Sequence, residues 1–302
     1  MPAQQLVMNP SLEEYSDCPW TYGQILLADH WSDPNAGSPE YFNACAQDDF
    51  TGVPHNMRGY QSAHSGDAYA FIGCYIDEYT PNFREYIQGS LSEPLIAGGC
   101  YHVEAFLSMS DCDFATTHIG IWFTDTALSS IPDHYPLPVT PQIVYNGPPL
   151  SDTLNWTLMS GEFLSHGGEV AFIIGLFEDD TTAIFEEVYY TASYESGYYV
   201  DDVSVELVTD GSPPCGLSTD VLHGAAVQGI SIHYDVANST FAFDAPPGSV
   251  AVLNIFEATG RLIEQSTLVS GVKYDMSHLP TGVYLCELRG KGHESAAMVV
   301  RY

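Results

Sequence analysis

His64-Ser65 beside Asp67 brings together the three side-chain types of a serine nucleophile, its base and its orienting acid. Adjacency in sequence is not triad geometry, so Ala63-His64-Ser65-Gly66-Asp67-Ala68-Tyr69 reads as turn chemistry. The chain has no Gly-x-Ser-x-Gly elbow, no His-Glu-x-x-His pair and no phosphate-cradling Gly-Lys-Ser/Thr loop. Its 11 His are scattered, without i, i+4 pairing on a helix. Carboxylates are the abundant reagent, with 39 Asp and Glu against 7 Lys and Arg. Two carboxyls across a cleft can hydrolyse a glycoside, but no motif selects one pair, and the chain reads as a non-enzyme. Aromatic faces offer different chemistry: they can stack on pyranose rings while Asp, Asn and Arg fix hydroxyls. Trp31, in a loop with Asp33, Pro34 and Asn35, and the tyrosine-rich run containing Tyr189, Tyr190 and Tyr194 are the candidates for such contacts. Glu178 to Tyr194 would form a second loop lining a concave face. Trp122 and Trp156 fall within predicted strands and are expected in the core.

The elements that must position these side chains are strands. Tyr, Phe, Val, Ile and Thr recur in short runs between Gly, Pro, Asn and Ser, and no convincing helical period extends over a dozen residues. Ala68–Ile76, Glu85–Leu91, Cys100–Met109, His118–Thr124, Trp156–Phe163, Glu169–Phe177 and Tyr198–Val208 are the predicted strands. Their spacing suggests a sandwich or jelly roll. Thr126 to Pro149 carries six Pro and reads as a long surface loop of the kind that tends to carry function.

Charge divides the chain. Residues 1–210 hold two cations (Arg58 and Arg84) and 31 acids, a balance of −29, whereas residues 211–302 hold five cations and eight acids, a balance of −3. Asp210-Gly211-Ser212-Pro213-Pro214-Cys215-Gly216 supplies the break. The expected division is a front domain at 1–210, a linker at 211–222 and a second domain at 223–302. A formal charge of −32 excludes nucleic acid, whose phosphates need cations, and an anionic membrane surface. No apolar run approaches the ~20 residues that span a bilayer.

Seven Cys occur without C-x-x-C or zinc-ligand spacing. Six fall in or just after the acidic unit, an even number compatible with disulfides in an oxidising compartment. Their pairing is open; proximity suggests Cys18–Cys45 and Cys100–Cys112. Cys286, in an alternating strand, reads as a buried free thiol. The opening Met1-Pro2-Ala3-Gln4-Gln5 has no leader character, which suits an intracellular chain or a leader already removed.

Asn9-Pro10-Ser11-Leu12-Glu13, the turn at 63–69 and Tyr199-Val200-Asp201-Asp202-Val203-Ser204-Val205 resemble the galactose-binding-like jelly rolls common in carbohydrate-binding modules, with Leu12 in place of the usual Phe. That resemblance implies a structural calcium where the two ends meet, held by Glu13 and Asp201 with Asp202 as a weaker ligand; calcium takes six to eight oxygens. The segments around Cys18 to Cys45 and Gly59 to Ile87 look like N-terminal domains of Bacteroidota surface proteins. Farther on, Gly260-Arg261 in a turn, Leu279-Pro280-Thr281-Gly282-Val283-Tyr284 and the terminal Met298-Val299-Val300-Arg301 are similar to the type IX secretion sorting domain. Met276, His278 and Met298 depart from its pattern at loosely fixed positions. This likeness implies export to the periplasm, recognition by the type IX machinery, and a secreted or outer-membrane surface-attached product.

The expected protein is all-β: a jelly-roll sandwich followed by a small immunoglobulin-like sandwich. Its expected role is a noncatalytic carbohydrate-binding or adhesion module, with glycans or other surface proteins as partners. A structural surface subunit is the alternative, and a glycoside hydrolase the third.

Overall fold

The computed structural model describes residues 4–76, 80–189, 194–208, 215, 231–235, 240–244, 249–257, 261–280, 282–290 and 293–301. Strands are numbered in chain order. The chain divides into two compact units, Met1–Cys215 and Gly216–Tyr302.

The first unit is built on two antiparallel five-stranded sheets. One runs β1 (Trp31–Ser32), β6 (Ile87–Ser90), β12 (Ala171–Leu176), β9 (Ile119–Thr124) and β10 (Ile143–Val144). The other runs β11 (Thr157–Leu164), β7 (Cys100–Met109), β14 (Ser196–Leu207), β5 (Ala68–Tyr75) and β2 (Glu40–Asn43). Each predicted strand is present, within about two residues at either end. The period-2 alternation of side chains explains the sandwich. Ile119, Ile121 and Phe123 of β9 and Phe172, Ile174 and Leu176 of β12 point into one core with Val103, Ala105 and Leu107 of β7. Burying roughly forty such side chains at ~25 cal/mol per Å² is the main stabilising term.

Each outer face carries a cover of its own. The segment between β2 and β5, including the hairpin β3 (His55–Asn56) and β4 (Gly59–Tyr60), lies on Phe42, Tyr69, Phe71 and Tyr199. The proline-rich stretch lays Leu128, Ile131, Leu137 and Val139 against Tyr86, Ile173 and Trp122. It packs as a cover on that face, where six prolines remove donors that an outer layer has no ladder to satisfy. Trp122 packs beneath it, half-buried, and Trp156 sits just before β11 on the opposite cover, so neither belongs to the main core.

The N-terminal segment closes the sandwich. Leu6 N–H donates to Val205 O at 2.9 Å and Met8 N–H to Ser90 O at 3.0 Å, so one segment stitches β14 to β6. Asn9, at φ 55°, donates its amide to Glu14 O and Asp29 O and accepts from Glu14 N–H, fixing the bend that Pro10 continues.

Two disulfides are present among the described residues. Cys18–Cys45 forms as expected. Cys100 pairs with Cys215, with Cα atoms 5.2 Å apart, and not with Cys112. Cys112 is buried and donates to the carbonyls of Phe114 and Gly197, while Cys74 is also buried, so both remain thiols. Nearness in sequence misled because Cys100 and Cys112 stand at opposite ends of β7, about ten extended residues apart.

The second unit has a three-stranded sheet, β15 (Ser231–Asp235), β16 (Thr240–Asp244) and β19 (Tyr274–Asp275). Its partner sheet has the order β18 (Leu262–Val269), β17 (Val250–Glu257), β20 (Gly282–Gly290) and β21 (His293–Arg301). Leu253, Ile255, Leu279, Tyr284 and the free thiol Cys286 share its core.

Gly89 in β6 approaches the ring of buried Phe172 so closely that an added methyl would collide with it. Gly89→Ala is expected to cost the first unit roughly 1–3 kcal/mol, read as a lower urea midpoint at unchanged slope.

Candidate functional site

The turn at 64–67 is built around three carboxylates. Glu13 Oε1 accepts the amides of Asp67 (2.8 Å) and Ala68 (3.0 Å). Asp201 is fully buried; its Oδ2 accepts the amides of His64 (2.8 Å) and Ser65 (3.2 Å), and its Oδ1 that of Asp202 (2.7 Å). Asp202, at φ 47° in a β-bulge of β14, takes His64 Nδ1 at 2.5 Å and the Ser65 hydroxyl at 2.7 Å. The serine hydroxyl thus donates to a carboxylate rather than to the imidazole, which is not triad geometry. His64 is instead stacked on Phe106, with ring centroids 3.6 Å apart. Glu13, Asp201 and Asp202 do converge on one turn, as the resemblance implied. All three accept bonds from that turn, however, and no three His, Cys, Asp or Glu side chains cluster as a metal-binding group among the described residues.

The aromatic candidates are placed differently. Trp31 is 3% exposed: it begins β1, packs edge-on against Phe172 and donates Nε1–H to Asn9 O. It is a core residue, and its polar loop neighbours misled because the N-terminal segment folds over it. The exposed tryptophan is Trp20, at 60%, beside Tyr22 at 58%. Tyr189 and Tyr194 are exposed, with their amides held by Asp113. Tyr190 lies outside the described residues. In the second unit, Gly260 is likewise outside them. Arg261 precedes β18 and is exposed, Pro280 O accepts the Tyr284 hydroxyl at 2.6 Å, and Gly282 and Val283 begin β20.

A groove that no motif announces lies on the outer face of the β5 sheet. Asn56 pins the β3–β4 hairpin by donating to Tyr69 Oη and accepting from Tyr199 Oη–H and Arg58 N–H. Arg58 is thereby set over Phe71, 4.7 Å from the ring centroid, between Glu40 (3.0 Å) and Glu195 (3.1 Å). Glu85, almost fully buried, accepts from Ser38 N–H and Oγ–H and from Gly73 N–H. Burial raises the carboxyls of Glu40 and Glu85 above the usual range, against the pull of those donors and of Arg58. A cavity of about 180 Å³ opens between Arg58, Glu85 and Glu195, walled by Phe71, Tyr75 and Phe83.

Tyr75 also walls a second cavity of about 330 Å³, with Pro81, Phe114, Phe185 and Asp180. The short ribbon of β8 (Phe114–Thr116) and β13 (Phe185–Glu187) presents both phenylalanines to Tyr75, with centroids 5.9 and 5.0 Å away. Arg84, fully buried, holds this rim: it donates to the carbonyls of Cys74, Phe83 and Glu178 and pairs with Asp180 at 2.8 Å. Of the segment Glu178 to Tyr194, Asp180 and Phe185 line this cavity and the described tyrosines do not. The sequence signal for the groove was the rarity of cations in 1–210, since both lie there.

No protein-family model matches the chain. No curated protein matches it either. Among solved structures, the CBM22-1 xylan-binding domain of Xyn10C from Paenibacillus barcinonensis is similar at 12% identity. That match covers 68% of this chain and 96% of that one, with a TM-score of 0.38. The N-terminal CBM22-1–CBM22-2 tandem domain of the same Xyn10C is similar at 10% identity, over 99% and 85% of the two chains, also with a TM-score of 0.38.

The titration of Asp201 gives the turn a pH dependence. Burial, and then the Asp202 charge, push its carboxyl up to about 8, whereas an unfolded chain deprotonates near ~4. The folded state therefore keeps a proton that the unfolded state has lost, and its advantage fades as pH rises through about 8. In EDTA, the melting temperature of the first unit should fall between pH 5 and 9, and Asp202→Asn should flatten that fall. An unchanged slope in the variant would contradict the assignment.

Proposed function

We propose that the first unit is a noncatalytic carbohydrate-binding module and that the groove around Tyr75 is its site. The observation that carries this reading is the meeting of aromatic faces with hydrogen-bonding groups in one cavity: Tyr75 and Phe83 beside Arg58 and Glu195. Sugars are bound through that combination, rings against apolar faces and hydroxyls against fixed polar groups. The carboxylates favour binding over hydrolysis. Glu85 spends both oxygens on Ser38 and Gly73, and Glu195 is tied to Arg58, so among the described residues both carboxyls that line the cavity are already partnered.

One observation favours a second reading, a protein-contacting surface subunit. Trp20, Tyr22 and Leu26 are exposed together on the segment that Cys18–Cys45 secures. A glycan array on the full chain, run with calcium and with EDTA, separates the two. Under the first reading a defined glycan is bound, and Tyr75→Ala, folded by its melting curve, binds roughly tenfold more weakly, while Trp20→Ala binds normally. No binding in either buffer by the folded chain supports the second, whereas glycan binding lost in Trp20→Ala and kept in Tyr75→Ala would move the sugar site to Trp20.

The proposed calcium sits at Glu13, Asp201 and Asp202 and would fix the turn beside this sheet, with carbonyls and water completing its shell. The two buffers test it, because its loss should lower the melting temperature of the first unit. Residues 223–302 are proposed as the export address, read by type IX secretion machinery. Deleting them should abolish surface display while leaving the front unit folded, and continued display would exclude that role.

A further inference from the structure

The two cavities share a wall. Tyr75 borders both, with Phe71 and Phe83 on one side and Phe114 and Phe185 on the other. Phe71 is buried beneath Arg58, so the rings open to a ligand are Tyr75, Phe83, Phe114 and Phe185; a single pyranose fills one cavity only, and a ligand that uses all four must be a chain of sugars.

Charge narrows the class. Arg58 is the one cation lining the first cavity, and both its terminal nitrogens are already given to Glu40 and Glu195. Glu85 stands behind them, so three carboxyls surround one guanidinium, and even with Glu40 and Glu85 pushed toward the protonated form by burial the group carries no net positive charge. In the second cavity Asp180 is matched by Arg84, which is buried behind the rim and cannot reach a ligand from the surface. Among the described residues, neither cavity thus offers an uncommitted cationic head to a carboxylated or sulfated sugar. The surrounding unit, with 31 acids against two cations over residues 1–210, adds a field that concentrates cations and repels anions.

Resting on the carbohydrate-binding reading above, we infer that the groove takes an oligosaccharide bearing free amino groups, a glucosamine-type chain of at least two residues, stacked across Tyr75 with an ammonium near Glu195. Ring stacking supplies the apolar contact, and the ammonium finds a half-exposed carboxylate already oriented by Arg58.

Isothermal titration of the full chain with glucosamine oligomers of one to six units, the matching N-acetylglucosamine oligomers and oligogalacturonates tests this. The expected result is binding of the glucosamine series, strengthening roughly tenfold or more from one unit to three and weakening as salt is raised. Phe114→Ala should remove the gain with length. Glu195→Gln, which can still accept from Arg58, should weaken the glucosamine oligomers roughly tenfold and abolish their advantage over the N-acetylated series. Equal or tighter binding of the N-acetylated or uronate series would overturn the charge assignment while leaving sugar binding intact. Equal affinity for one and three units would overturn the two-cavity assignment. No binding of any glycan by a folded chain would remove both this inference and the reading beneath it.

Discussion

The groove depends on how this unit spends its two cations. Screening 31 acids over residues 1–210 would call for positive charge spread over the surface. Instead Arg84 is sealed inside, and Arg58 lies under a hairpin against an aromatic ring. Taking a guanidinium out of water costs several kcal/mol unless its hydrogens are satisfied. Arg84 meets that cost with three carbonyls and Asp180, and so joins the end of β5 to the 178–180 rim. Arg58 joins β2, the hairpin and the start of β14 through Glu40 and Glu195. Each cation is thus a tie between segments distant in sequence, and the groove is the space between the ties.

The bulge in β14 is the second organising feature. Before it Tyr198 and Val200 face the core; after it Val203 and Val205 do. A strict period of two would have carried 202 and 204 inward instead, so the extra residue resets the phase. It also leaves Asp201 and Asp202 together on the outer face, where they gather the 64–67 turn. The same feature that keeps the strand's apolar side inward creates the buried carboxylate.

How much of this was legible follows from range. The strands were readable because alternation is local, and Cys18–Cys45 because a short loop limits the choices. Trp31 was misread because its burial is decided by Asn9 and Phe172, one packed from an earlier segment and the other from a strand 141 positions later. The groove had no local signature at all: Glu40, Arg58, Glu85 and Glu195 come from four separate segments, and only their shared role in neutralising a scarce cation unites them. Composition contained that clue, but composition carries no coordinates.

Cys100–Cys215 ends the first unit one residue before the boundary between the two compact bodies. The terminal strand of a sandwich is where fraying ordinarily begins, because nothing beyond it opposes opening. Here Cys215, beyond β14, is clasped covalently to Cys100 at the start of β7, the neighbouring strand of the same sheet. Load applied downstream of residue 215 is therefore borne by a sulfur–sulfur bond and the β7 ladder, and cannot unzip β14 from its free end. Cutting or pulling on whatever follows leaves the groove's scaffold mechanically shackled.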